Sequence, residues 1–167
     1  MDFPPVARQA SLPAHDRISA IDFVNRVNWL FEVWDIDRIV ESFLPDSTTY
    51  HFHGTIRGHQ ELRRFLADDY GYLIPGVARN ATNHIVDTDG PDGVVVRYHN
   101  LLIRYANPEM NTAISAAGTV TDVDDDLPAI WIYSPMLDRL RRTDEGWKIL
   151  ERHVGASVMS KRLSPRA

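Results

Sequence analysis

VVVRYHNLLIRY, residues 94–105, reads as one long β-strand: β-branched, aliphatic and aromatic residues fill it, and neither Gly nor Pro interrupts it. Upstream, Ala78–Asp87 (ARNATNHIVD) has the same character, and Asp89-Gly90 and Asp92-Gly93 supply the turn between the two. Downstream, Thr112–Thr121, Ala129–Arg141 and Trp147–Ala156 read as further strands, the last two joined through Asp144-Glu145-Gly146. Strands that follow one another through short polar turns pair antiparallel, so this half of the chain predicts a meander.

The residues ahead of the meander have a different period. Ile18, Ile21, Val24, Val27 and Phe31 recur at helical spacing within Arg17–Val33, and Asp16 is a candidate N-cap. Asp35 or Asp37 can cap a short second helix reaching Leu44, which Pro45-Asp46-Ser47 would end. TTYHFHG, residues 48–54, predicts a strand, and GHQELRRFLADD, residues 58–69, a third helix. Helices gathered before an antiparallel sheet define an α+β domain. A curved sheet wrapped over helices leaves a concave mouth, where a ligand would sit.

Bulk properties narrow the function. A chain of 167 residues fits one domain, with residues 1–15 as an arm, 16–157 as the folded unit and 158–167 as a flexible basic tail. The net charge of −5, without any basic stripe, argues against a nucleic-acid surface. There is no cysteine, which removes thiolate nucleophiles, disulfides and Cys-ligated zinc. No apolar run has the length of a signal peptide core or a spanning helix, so a cytoplasmic protein without membrane contact is expected. No Gly-rich phosphate loop appears, and no cofactor is implied.

The order of these segments resembles the NTF2-like, or SnoaL-like, superfamily. WDIDRIVESFLPDSTTYHFHG is similar to its helix–strand entry, TNHIVD to its central His-bearing segment, and RTDEGWKILERHV to its final hairpin. Together they span about residues 16 to 156. The resemblance implies a cone of about three N-terminal helices packed on a strongly curved mixed or antiparallel sheet. Within the superfamily the chain is most similar to the scytalone dehydratase and bile-acid dehydratase branch. There, a His on the segment matching TNHIVD pairs with a carboxylate near the end of the first long helix. The resemblance places that His on His84 and the carboxylate on Glu32, where the family has Asp. A family tyrosine falls on Phe31, another on His51, a second pocket histidine on Tyr105 and a pocket serine on Ser134.

What these residues could do follows from their chemistry. A His titrates near neutral pH and can both take and give a proton, as loss of water from a hydroxyketone requires. If TNHIVD is a regular strand, Thr82, His84 and Val86 share one face and Asn83 and Ile85 the other. Glu32 could fix the tautomer of His84 by accepting its N–H; Asp35 competes for that role, unless it serves as an N-cap. Asn28 interrupts the apolar stripe of the first helix, as a pocket-floor amide or a satisfied buried one. His51 and His53, two apart on a strand, share a face and suit the pocket mouth; without an obvious third ligand they predict no metal site. His99 and Tyr105 share a face that the resemblance makes the pocket wall, and Tyr105 or His51 could steady an enolate oxygen. DVDDD, residues 122–126, lacks the Gly and Glu of a calcium loop and reads as a solvated turn. Trp131 and Tyr133 are expected outside the cone, at the interface of a homodimer or homotrimer.

The expected activity is a lyase, a dehydratase acting on a hydrophobic, carbonyl-bearing small molecule such as a polyketide, a steroid-like compound or a ring ketone. A SnoaL-like cyclase or a ketosteroid-isomerase-like isomerase would use the same proton steps. A non-catalytic alternative is a ligand-binding or assembly module resembling the dioxygenase β-subunit. Its mark would be an apolar cone in which His84 lacks a carboxylate partner.

Overall fold

A computed structural model describes residues 3–9, 12–70, 76–106 and 126–164. Helix α1 (Ala14–Val33) lies against the sheet through a stripe that includes Ala20, Val24, Val27 and Phe31. Ile18 stands off this stripe and is 65% exposed. Pro13 rather than Asp16 occupies the N-cap, and Asp16, in the first turn, pairs with Arg142. The helix ends at Trp34, whose φ of 57° is left-handed and whose N–H returns to the Leu30 carbonyl. A tryptophan pays a steric penalty there; its ring is held against Phe31 and Tyr70, with centroids 6.4 and 6.2 Å away.

Asp35 caps α2 (Ile36–Glu41) by accepting the Arg38 N–H. Strand β1 (Phe43–His51) then runs through Pro45, which was expected to be a break. The strand accommodates it because the pairing register slips between Phe43 and Thr48, leaving the proline where no ladder donor is needed. A tight turn leads to β2 (Gly54–Arg57), and α3 (Gly58–Arg64) continues into a π-helical turn, Phe65–Tyr70.

The meander follows as β3 (Val77–Thr88), β4 (Gly93–Arg104), β5 (Ala129–Thr143) and β6 (Gly146–Val154). The expected strand Thr112–Thr121 lies outside the described residues, as do Asp122 to Asp125. The sheet order is β2-β1-β6-β5-β4-β3, antiparallel except where β1 runs parallel to β6, so the sheet is mixed and the domain α+β. Its inner face meets the helices in one core that includes Val24, Ile39, Leu66, Val96, Leu140 and Ile149.

Both chain ends pack on this body. The arm lies on the outer sheet face: Phe3 meets His153 edge-on at 4.5 Å, and the Pro4 carbonyl accepts from Arg97. Residues 158–164, expected to be flexible, are built in. β7 (Val158–Met159) pairs with β5 at Ile132 and Tyr133, beyond the point where β6 ends. A 3-10 turn follows, with Leu163 buried and the Trp131 indole N–H donating to Ser164 Oγ at 3.2 Å. Burial of Leu163 and pairing of the backbone hold this segment in place.

Candidate functional site

One deep cavity of about 280 Å³ opens between the helices and the inner face of the sheet. A protein cavity of roughly 150 Å³ holds a benzene ring, so this one suits a body of about two fused rings. Most of its wall is apolar, with Phe31, Phe43, Leu66, Leu102, Trp131 and Met136 among the contributors. The polar groups on it are Thr49, His51, His53, Tyr70, Arg79, Asn100, Ser134, Arg152 and Ser164. No Asp or Glu lines it among the described residues.

The deepest polar feature is an ion pair on adjacent strands. Asp138 on β5 stands directly across from Arg152 on β6. The Arg152 Nε and Nη2 donate to the two Asp138 oxygens at 2.8 and 2.7 Å, and the Tyr98 hydroxyl donates to Asp138 at 3.0 Å. Asp138 is 0% exposed. Burial works against the Arg152 charge, yet the Asp138 carboxylate outweighs it and holds the guanidinium protonated. Burial likewise pushes the Tyr98 hydroxyl far above the usual phenol range. Arg152 Nη1 has no partner among the described residues, and the guanidinium lies against the rings of Phe43 and Phe31 at 5.3 and 6.0 Å. The cavity therefore has a fixed N–H donor in apolar surroundings, where a hydrogen bond to developing negative charge is strongest.

Beside it, Asn28 donates to the Val24 carbonyl at 3.0 Å, so its oxygen must be the acceptor for Asn100 Nδ2 at 3.2 Å. Asn28 is thus a satisfied buried amide behind Asn100 rather than a wall residue. Ser134 bonds Ser157 Oγ at 2.7 Å. Since Ser157 donates to the Gly155 carbonyl, Ser134 is the donor in that pair and keeps its lone pairs for the cavity.

Near the mouth, His51 Nδ1 accepts the His53 backbone N–H at 3.2 Å, which leaves the proton of the neutral ring on Nε2. Burial first, then the His53 and Arg79 charges, push the His51 imidazole down to about 4. An NMR titration should show its ring protons moving near that pH. The unfolded chain takes up this proton near pH 6.5 and the folded chain only near 4. Stability fully present above pH 6.5 is therefore lost progressively down to about 4, with no further loss from this group below. A midpoint near 6.5 would contradict this environment for His51. Arg79 reaches the Tyr70 hydroxyl and lies over the Phe31 and Tyr70 rings at 4.7 and 5.3 Å. The π-helical turn that delivers Phe65 and Tyr70 is a form often found at functional sites.

The structure gathers Phe31, His51, His53 and Ser134 on the cavity wall and sets the other expected residues elsewhere. His84 is not on that wall. A β-bulge interrupts β3: Thr82 pairs with His99 and Ile85 with Arg97, so Asn83 and His84 both stand opposite Tyr98. Asn83 takes a left-handed φ of 55°, which asparagine tolerates. The extra residue cancels the alternation, so Thr82 and Val86 face opposite sides. The His84 ring stacks on Tyr98 at 5.6 Å, and its Nε2 has no partner among the described residues. Burial lowers the His84 pKa. Glu32 instead accepts the Arg79 backbone N–H at 2.7 Å. Burial raises the Glu32 pKa, opposed by that bond and the Arg79 charge.

Asp35 is consumed as an N-cap. His99 points to the outer face, edge-on to Tyr133 at 5.3 Å, because it is the opposite side of β4, including Tyr98, Asn100 and Leu102, that the helices bury. Tyr105 follows the end of β4, off the cavity wall, with its pKa raised by burial and by the Glu32 charge. Trp131 faces inward, 2% exposed, with Arg104 stacked on it at 4.2 Å, whereas Tyr133 does face outward. Tyr70, Arg79, Asn100 and Arg152 were missed. A signal for Arg152 existed: Asp138 and Arg152 are opposite charges at inward positions of two adjacent apolar strands.

Among the described residues, no group of three or more potential ligands is placed to hold a metal, and no helix is long and apolar enough to cross a membrane. The family model described as SnoaL-like domain matches residues 13–153. No curated protein matches the chain. Among solved structures, a Nostoc punctiforme protein of unknown function with a cystatin-like fold is 17% identical, covering 86% of this chain and 92% of its own, with a TM-score of 0.67. A proposed aromatic ring hydroxylase of Novosphingobium aromaticivorans is 16% identical over 90% of this chain and 96% of its own, TM-score 0.65. A proposed scytalone dehydratase of the same organism is 15% identical over 90% and 89%, TM-score 0.62. At these identities the likeness is one of fold.

Proposed function

The chain belongs to the SnoaL-like domain family, within the NTF2-like superfamily, and we propose that it is an acid/base enzyme of the dehydratase kind acting on a hydrophobic carbonyl compound of about two fused rings. The observation that carries this reading is Arg152, a buried guanidinium fixed by Asp138 that keeps an unused N–H edge in an apolar cavity. A substrate carbonyl resting on Nη1 gains hydrogen bonding as negative charge grows on its oxygen. Loss of the α-proton and departure of a β-hydroxyl then make an enone and water.

His53, which lines the cavity beside His51 with ring centroids 5.2 Å apart, is the proposed base. No carboxylate lines the described wall, Glu32 lies off it on the Arg79 backbone N–H, and Asp138 is already occupied by Arg152 and Tyr98. The proton taken from the α-carbon passes to the leaving hydroxyl, which departs as water, while the neutral His51 holds that oxygen through its Nε2–H. Isomerisation or ring closure would use the same groups.

A second reading is a binding module without turnover. It is favoured by the absence of Asp and Glu from the described cavity wall and by His84 lacking a carboxylate partner there. The test is a set of one- and two-ring β-hydroxyketones, followed by the absorbance of the conjugated product. Wild type should release water from at least one, and His84→Ala should do so within about twofold, because His84 is off the wall. Binding of ring ketones without product would select the binding module. Loss of turnover in a folded His84→Ala would return His84 to the chemistry.

A further inference from the structure

Resting on the reading of this cavity as the ligand site, we propose that its ligand is an anion, a ring compound whose carboxylate or acidic phenol oxygen binds Arg79. Most arginines of this structure near an acidic side chain are paired with it: Arg97 with Asp87, Arg139 and Arg141 with Asp89, Arg142 with Asp16, Arg152 with Asp138. Arg79 forms no ion pair among the described residues, although it stands at the cavity. Glu32 is close, but its bond is to the Arg79 backbone N–H, which leaves the guanidinium uncommitted to it.

The guanidinium is nevertheless held. One Nη donates to the Tyr70 hydroxyl, and the planar group lies on the Phe31 ring. A fork fixed on aromatic faces binds a carboxylate with little ordering left to do. The rest of the wall agrees in sign. The described lining has two guanidiniums and no carboxylate; behind the wall Asp138 takes two N–H groups of Arg152, whereas Glu32 feels the Arg79 charge but bonds only its backbone N–H. His51, at the same end, offers an Nε2–H donor rather than a lone pair. An anionic oxygen satisfies these donors, and the apolar wall takes the rings.

The test uses 2-naphthoate and its neutral isostere 2-naphthamide, with binding measured by calorimetry on the full chain. Wild type should bind naphthoate about tenfold or more tightly than naphthamide, the size of a charge-assisted hydrogen bond. Arg79→Met should remove that preference while leaving naphthamide binding nearly unchanged, and Arg79→Lys should keep part of it. Naphthoate should also raise the midpoint of the His51 NMR titration, since a bound anion favours the imidazolium. Equal binding of the two compounds by wild type, or an intact naphthoate preference in a folded Arg79→Met, overturns the anion proposal alone. Failure of both compounds to bind overturns the reading of the cavity and this proposal with it.

Discussion

Asp138→Ala should lower the stability of the fold by about 3–5 kcal/mol, the cost of leaving a buried charge unpaired. Arg152 would keep its guanidinium between Phe31 and Phe43 with no counter-charge, and the Tyr98 hydroxyl would lose its acceptor. For a chain of this length each kcal/mol moves the melting temperature by about 2–4 °C, so a fall of roughly 6–20 °C is expected in a thermal melt. The contrasting variant removes the whole network: Asp138→Leu with Arg152→Met and Tyr98→Phe. Apolar replacement of an entire buried pair is often neutral or stabilising, so this triple variant should melt well above Asp138→Ala. Equal melting of the two would mean that the pair contributes through packing rather than charge.

Removing the Arg152 donor should have the largest effect on chemistry. A single Arg152→Met would strand Asp138, so the informative variant is Arg152→Met with Asp138→Asn, in which the Asn oxygen still accepts from Tyr98. Its fold should survive, and turnover of a ring hydroxyketone should fall by about 10²–10³, the usual cost of losing one oxyanion donor. The loss should fall on kcat rather than KM, because the bond strengthens as charge builds. Unchanged kcat in a folded double variant would remove Arg152 from the mechanism and leave the binding-module reading as the better one.

The two variants also show where sequence reading stops. The wall residues Phe31, His51 and Ser134 were legible through the family resemblance, which puts each of them on a pocket position; Phe31 also lies on the apolar stripe of the first helix. His84 keeps the inward face it shares with Val86 and stacks on Tyr98, but it lies outside the cavity wall; the bulge at the left-handed Asn83 instead turns Thr82 to the outer face, beside His99. His99 failed differently. The alternation of β4 was visible, but both faces mix polar and apolar groups, and nothing within the strand says which one the helices cover. Arg79 carried no signal in the sequence, and that of Arg152, an opposite charge on the neighbouring strand, becomes specific only when the register sets it across from Asp138.

The sequence by itself determined the order of helices and strands and the α+β class, because hydrophobic period and turn residues are properties of neighbours along the chain; the family came from the resemblance of three of its segments. Only the tertiary structure decided which face of each strand became interior, where the bulge fell and that Asp138 meets Arg152. Those outcomes depend on pairing between strands and on what packs against them, and a cavity is made by surfaces that are distant in sequence. In this chain the fold was written locally, and the site was written by contact.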